Sequence, residues 1–241
     1  MPKDTNFTVV CGVTQGLWQA RAERAFLSIR RWAPDVVCEC VLCPPDRRLA
    51  RCLAVPDTPW ILFIDADVLA TGDVRTLMHG LRSNILIRRS PLHDHPAWRQ
   101  DRYEHLLRLA GLPYRTVVWN GAFLIARTLA RQIARAIADW RCWYLSQRRP
   151  IFERPHRKPD QISLTLALAE ARVLDDRTTW AGPEQFSWHS RPEELGVIHH
   201  FNGRVYGQLA REGKLEAAID EKRLNHRDTE TTENGKKADE H

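Results

Sequence analysis

Trp60-Ile61-Leu62-Phe63-Ile64-Asp65-Ala66-Asp67-Val68-Leu69 is the stretch on which the reading of the whole chain turns. Residues 60–64 form an unbroken apolar run of strand length, and such a run belongs to a strand buried on both faces. Two carboxylates stand at its end, one residue apart. Carboxylates there are costly unless a cation or hydrogen bonds satisfy them. Two of them in one turn can converge on a single hard divalent cation, which takes oxygen ligands and completes its shell with substrate phosphates. Such a cation offsets charge building on a diphosphate leaving group. The plainer alternative is that Asp65 and Asp67 cap the following turn and Asp73 caps the next helix.

Outward from this stretch, strand and helix signals alternate. On the N-terminal side, residues 7–13 (FTVVCGV) and 36–42 (VVCECVL) read as strands. Between them Ala22, Ala25, Phe26 and Ile29 mark one helical stripe, and a basic helical stretch runs from Arg47 to Leu53. On the C-terminal side, Val74, Leu77, Met78 and Leu81 predict an amphipathic helix, and residues 84–88 (NILIR) a short strand. Tyr103, Leu106, Leu107 and Ala110 predict a further helix. Residues 117–125 (VVWNGAFLI) read as a strand bent at Gly121. A long helix carries Leu129, Ile133, Ile137, Trp140 and Tyr144, and another starts near Asp160. ARVLD (171–175) and GVIHH (196–200) read as late strands. This alternation predicts an α/β fold, a mostly parallel mixed sheet with helices on both faces. In such folds ligands bind beyond the carboxyl ends of the strands, which is where Asp65 and Asp67 fall.

The composition fits. The chain has 241 residues, 43% of them hydrophobic, enough for one substantial core. Residues 1–218 read as a single domain, and 219–241 as a polar, non-periodic, disordered tail. Lys plus Arg number 36 against 30 Asp plus Glu, a net charge of +6 that suits an anionic ligand. The basic residues form no run interleaved with aromatics, which argues against nucleic acid as a partner. No apolar stretch approaches the roughly 18 residues of a membrane span, and no leader pattern is visible, so a cytoplasmic location is expected. Six cysteines in that compartment are expected as thiols. Cys38, Cys40, Cys43 and Cys52 fit paired zinc spacing poorly.

WILFIDADVLATGDVRTL resembles the D-x-D segment of GT-A glycosyltransferases, especially the retaining family eight, which includes glycogenin and transferases of lipopolysaccharide assembly. WNGAFLIA (119–126), PDQISLTLAL (159–168) and VIHHFNGR (197–204) resemble three further segments of that family, in its order. The resemblance spans residues 7–207 and implies a Rossmann-like GT-A fold. It implies a metal-dependent transfer of sugar from a nucleotide diphosphate to a hydroxyl acceptor (a glycan, lipid-linked glycan or protein), with retention. Asp65, Asp67 and His200 become the metal ligands, with His199 left open by the doubled histidine. One imidazole beside two carboxylates suits Mn2+ better than Mg2+. Asn120, Asp160 and Gln161 become the residues at the transferred sugar or acceptor, although Asp160 after Pro159 also fits a helix start. Asp65, Ala66, Gly121, Gly203 and Arg204 fall at the nucleotide sugar, for which a UDP-sugar is the first expectation. Gly12, Val13 and Thr14, at the end of the first strand, are placed at the base, and Arg48 or Arg51 at a phosphate.

The pattern departs in one place. The family's late segment continues to a Lys-Pro-Trp whose Lys binds diphosphate, whereas FNGRVYGQ follows here, with Arg204 the replacement expected. Residues 148–159 (RRPIFERPHRKP) are basic, suiting a mobile loop, a phosphorylated acceptor or peripheral contact with an anionic membrane. Trp98, Trp119, Trp180 and Trp188 are available to stack on sugars. Two other functions compete. One is a nucleotide- or partner-binding GT-A-like domain without catalysis. The other is a phosphohydrolase of the haloacid dehalogenase type, with Asp175-Asp176 as its later acidic motif.

Overall fold

The computed structural model describes residues 6–14, 16–79, 81–89, 100–112, 117–151, 159–174, 179–188, 195–201 and 203–217. Trp98, Asp175-Asp176, most of the basic 148–159 loop and the 219–241 tail lie outside these residues.

Six strands form the main sheet in the order β2-β1-β3-β6-β5-β7. They are β1 (Phe7–Val13), β2 (Val37–Leu42), β3 (Trp60–Ile64), β5 (Ile85–Arg89), β6 (Val118–Ala126) and β7 (Thr179–Trp180). Strands β2, β1 and β3 are parallel, and β6 runs against both β3 and β5, so β6 alone opposes the other strands. The sheet is thus mixed and mostly parallel, as the alternation predicts.

Side-chain alternation sends the two faces of this sheet into two cores. Val9, Cys11, Leu62, Ile64, Ala122 and Leu124 pack against Ala22, Ala25, Phe26 and Ile29 of α1 (Leu17–Arg30). On the other face Val10, Ile61, Phe63, Phe123 and Ile125 pack against α2 (Arg48–Ala54), α4 (Arg127–Ile151) and α5 (Pro159–Glu170). Helix α3 (Gln100–Leu109) contributes Leu106 and Leu107 to a smaller cluster with Val117, Tyr144, Ile162 and Leu166.

A second, three-stranded sheet has the order β4-β9-β8, built from β4 (Val68–Ala70), β8 (Phe186–Trp188) and β9 (Ile198–His200). Helix α6 (Gly203–Arg211) follows it and closes a cluster of Leu69, Phe201, Tyr206 and Leu215. Val205, Tyr206 and Leu209 recur along it at helical spacing. Strands β4 and β8 are three residues each, too short for alternation to signal them.

Two expectations are corrected. The helix expected from Val74 is a 3-10 turn over Val74–Met78. Its bonds run from Thr76 N to Asp73 O and from His79 N to Thr76 O, and Asp73 caps it by accepting from Arg75 N at 2.9 Å. The next strand begins at Ile85. ARVLD is no strand either. Its first residues close the end of α5, with Val173 N donating to Leu168 O and Arg172 N to Ala169 O, while Leu174 turns back into the core. The apolar spacing of Val173 and Leu174 reflects this return and not a pleat.

That closure places Arg172 at φ 54, in the left-handed region. The same pair of bonds ends α3 and α6, where Gly111 (φ 68) and Gly213 (φ 67) hold the equivalent position. A side chain in this region costs roughly 1–2 kcal/mol. Arg172→Gly is therefore expected to raise stability by about 1 kcal/mol, a Tm gain of roughly 2–4 °C. A lower Tm on thermal denaturation contradicts this account of the α5 terminus.

Candidate metal and donor site

The site is assembled where the two sheets meet. Strand β3 ends at Ile64, and Asp65 N donates to Gly121 O at 2.7 Å, tying the acidic turn to β6. The chain turns at Ala66 and enters β4, which pairs antiparallel with β9, Val68 opposite His200. Phe201 N donates to Asp67 O at 2.9 Å, extending the pairing past His200. This register brings His200 Nε2 to 3.2 Å from Asp67 Oδ1. One ligand atom from each of Asp65, Asp67 and His200 lies within 4.8 Å of the others, and among the described residues theirs is the one cluster of this kind.

The doubled histidine is separated by the pleat. His199 faces the opposite way, is fully buried, and places Nδ1 2.8 Å from Ser187 Oγ on β8. Its ring meets Phe201 edge-on at 4.9 Å. His200 instead meets Trp119 edge-on at 5.3 Å.

The residues present fit a divalent cation. Asp65 Oδ1 is buried and accepts no hydrogen bond. Arg48 Nη1 lies 3.0 Å from it, so the guanidinium meets this oxygen as a charge without an aligned N–H. Burial pushes the Asp65 carboxyl above its usual range, an effect that Arg48 opposes and the Asp67 charge reinforces. Burial acts the same way on Asp67, but the charge and hydrogen bond of His200, with a backbone hydrogen bond and Arg21, together hold that carboxyl below its usual range. Two crowded carboxylates and an imidazole, one oxygen without a hydrogen bond, are the donor set that a hard to borderline divalent ion takes.

Asp160 belongs to the same electrostatic unit. Arg48 Nη2 lies 3.2 Å from Asp160 Oδ2, and Arg141 of α4 binds Asp160 Oδ1. Arg48 therefore bridges Asp65 and Asp160, and mainly through Asp65 its pKa is pushed up. Asp160 sits one residue inside α5 after Pro159, and its carboxylate serves the arginines. Nothing local in the sequence pointed to Arg141, whose mostly buried side chain borders the apolar stripe of α4 beside Ile137 and Tyr144. Of the two arginines considered on α2, Arg48 faces the carboxylates, whereas Arg51 is exposed.

The end of the first strand is closely packed. Gly12 and Val13 are buried, and only Thr14 is partly open. The close approach Gly12 permits is by protein: a Cβ there would lie 2.6 Å from both Arg48 Cγ and Cys52 Sγ. Glycine at 12 thus lets Arg48 cross the strand end and reach Asp65. Gly203 starts α6, and Arg204 lies on its exposed face. Asn120 is 8% exposed and Gln161 fully buried. Trp119 and Trp188 are core residues in edge contact at 5.1 Å, and Trp180 is partly buried under Arg89. Cys38, Cys40, Cys43 and Cys52 carry free thiols. No described helix is long and apolar enough to cross a membrane.

At Gly121 the Trp119 ring folds back so closely that a Cβ would lie 2.2 Å from Cζ2. The register of β6 against β5 shifts nearby, between Ile87 and Arg89, which accounts for the bend expected here. Gly121→Ala must displace an indole packed on Phe186, Trp188 and His200. Overpacking of this kind costs about 2 kcal/mol. Thermal denaturation should show a Tm lower by roughly 4–8 °C, and an unchanged Tm contradicts the packing described.

No protein-family model and no curated protein matches the chain by sequence. Solved structures do match it. The galactosyltransferase LgtC, in complex with donor and acceptor sugar analogs, superposes with a TM-score of 0.56 at 12% identity, covering 85% of this chain and 95% of LgtC. A glycosyltransferase involved in the glycosylation of the major capsid of PBCV-1 superposes with a TM-score of 0.54 at 11% identity, covering 90% of this chain and 98% of its own. These identities carry the fold and nothing finer, and the fold is the GT-A fold of glycosyltransferases.

Proposed function

We propose that the protein is a glycosyltransferase that moves a sugar from a nucleotide-diphosphate sugar to a hydroxyl acceptor, with retention, using a divalent cation held by Asp65, Asp67 and His200. The observation that carries this reading is the convergence of those three side chains at the junction of the two sheets. The fold shared with glycosyltransferases supports it. Mn2+ suits the mixed carboxylate and imidazole set, and a UDP-sugar is the first donor to try. When bound, the cation supplies electrostatic stabilisation of the departing diphosphate.

The chain's own residues prepare the rest. Asp65 and Asp67 hold negative charge in place before any ligand arrives, so little reorganisation accompanies binding. Asp160 is held in orientation through both oxygens by Arg48 and Arg141. It suits orientation of sugar hydroxyls, with Asn120 and Gln161 as amide partners able to donate and accept. The nucleophile is then the acceptor's own hydroxyl.

The test is a panel of UDP-, GDP- and CDP-sugars with Mn2+, read by release of nucleoside diphosphate and by thermal shift. Transfer or slow donor hydrolysis with one base supports the proposal. Hydrolysis of simple phosphate esters with no response to any nucleotide sugar sinks it. Donor binding without turnover over a broad acceptor panel favours the non-catalytic reading.

A further inference from the structure

Arg21 is a cation near the acidic cluster that none of the roles above uses. It lies on α1, partly buried, and no described carboxylate pairs with it. Its guanidinium carbon stands 4.7 Å from the Trp18 ring centre and 5.0 Å from the Tyr206 ring centre. Trp18 is nearly one turn earlier on α1, whereas Tyr206 comes from α6, the helix that follows His200. Arg21 Nη2 lies only 3.1 Å from where a Cβ of Gly207 would stand, so the absence of a side chain there lets the guanidinium nestle against α6. Its charge is felt at Asp67, after the larger effects of burial and of His200, and at Tyr206.

Two rings from different helices lie against this guanidinium. Aromatic contact does not consume the N–H donors of a guanidinium, whose planar fork matches phosphate oxygens. The electrostatics call for such a group. Asp65 and Asp67 already cancel the charge of a divalent cation, so a diphosphate docked against that cation adds negative charge it no longer offsets. Arg48 is committed to Asp65 and Asp160, and Arg141 to Asp160. Arg204, expected from the sequence to supply the missing cation, lies on the exposed side of α6.

We infer that Arg21, clamped between Trp18 and Tyr206, binds the donor diphosphate beside Asp65, Asp67 and His200, and that it and not Arg204 supplies the second cation of the site. This rests on the donor chemistry proposed above. The experiment is calorimetry with Mn2+ alone, then with UDP, GDP or CDP in saturating Mn2+, whichever the wild type binds. The proteins are wild type, Arg21→Gln, Arg21→Lys and Arg204→Gln.

Loss of charge-assisted bonds to phosphate should weaken nucleoside diphosphate binding by Arg21→Gln roughly tenfold or more. Arg21→Lys should recover only part of this, because an ammonium keeps the charge and loses the fork. Mn2+ alone should bind Arg21→Gln as tightly as wild type or more so, since a positive charge near Asp67 has gone. Global damage to the fold would weaken both ligands together. An Arg21→Gln protein binding the nucleoside diphosphate within twofold of wild type overturns the inference, as does a tenfold loss in Arg204→Gln with Arg21→Gln unaffected. If Arg21→Gln loses Mn2+ binding as well, Arg21→Lys decides: a loss of about threefold or more at the nucleotide supports the role, and unchanged affinity overturns it. If the wild type binds Mn2+ but none of the three nucleotides, the donor reading fails first and Arg21's role falls with it.

Discussion

Asp67→Ala is expected to lower the affinity for Mn2+ by about 100-fold or more and to abolish Mn2+-dependent binding of nucleotide sugars, with cooperative unfolding retained. Changing even an outer partner of a metal ligand typically costs 10–100-fold, so loss of a ligand should reach the upper end or beyond. Two features make Asp67 the more telling of the two carboxylates. It is the one joined to His200, at 3.2 Å, so its removal breaks the link between the β3 and β9 parts of the cluster. Its backbone carbonyl continues to accept from Phe201 N at 2.9 Å in the variant, so the sheet junction has a reason to persist. Calorimetry of wild type and variant decides it. Equal Mn2+-dependent donor affinity in both would refute the metal assignment, whatever the fold.

The second large effect is on stability. Arg48→Met should destabilise the metal-free protein by about 3 kcal/mol, the low end for a buried ion pair broken from one side, because these side chains keep partial solvent contact. In a domain of this size that corresponds to a Tm drop of roughly 6–12 °C. The variant leaves Asp65 next to Asp67 without its ion-pair partner, and leaves Asp160 to Arg141 alone. Methionine keeps much of the aliphatic stem that lies over Gly12, so the loss reports charge more than packing. Added Mn2+ should then raise the Tm of Arg48→Met by more than it raises that of wild type, since the ion offsets the charge that Arg48 used to offset. A uniform Tm deficit, with or without Mn2+, would mean that Arg48 acts by packing and not through Asp65.

How much of this was legible beforehand differs from element to element. The apolar run of β3, the spacing of Ala22, Ala25, Phe26 and Ile29 and the long stripe of α4 are local periodicities, and the structure reproduces them as two cores on two faces of one sheet. ARVLD and the Val74 stretch misled because apolar spacing over a few residues is shared by strands, 3-10 turns and capped helix ends. Only the hydrogen bonds tell these apart, and here Arg172 at φ 54 marks the capped end. At Gly12 the sequence shows that a side chain is absent but not what fills the space. Its neighbour is Arg48, 36 residues further along the chain.

By itself the sequence determined which groups are available and where along the chain the fold would expose them: Asp65 and Asp67 at the end of a buried strand, and a histidine pair before Phe201. Those conclusions rest on short-range physics, the cost of an apolar run in water and of a carboxylate out of it. Only the tertiary structure decided which histidine faces the carboxylates, that Arg48 links Asp65 to Asp160, and that Arg21 lies against Trp18 and Tyr206 while Arg204 is on the exposed side of α6. Each of these depends on one register or one helix face. A slip of one residue in the pairing of β4 with β9 would exchange His199 for His200. No local pattern encodes that choice. It is made by burying Phe201 and Tyr206 with Leu69 on one side and Ile198 with Trp188 on the other.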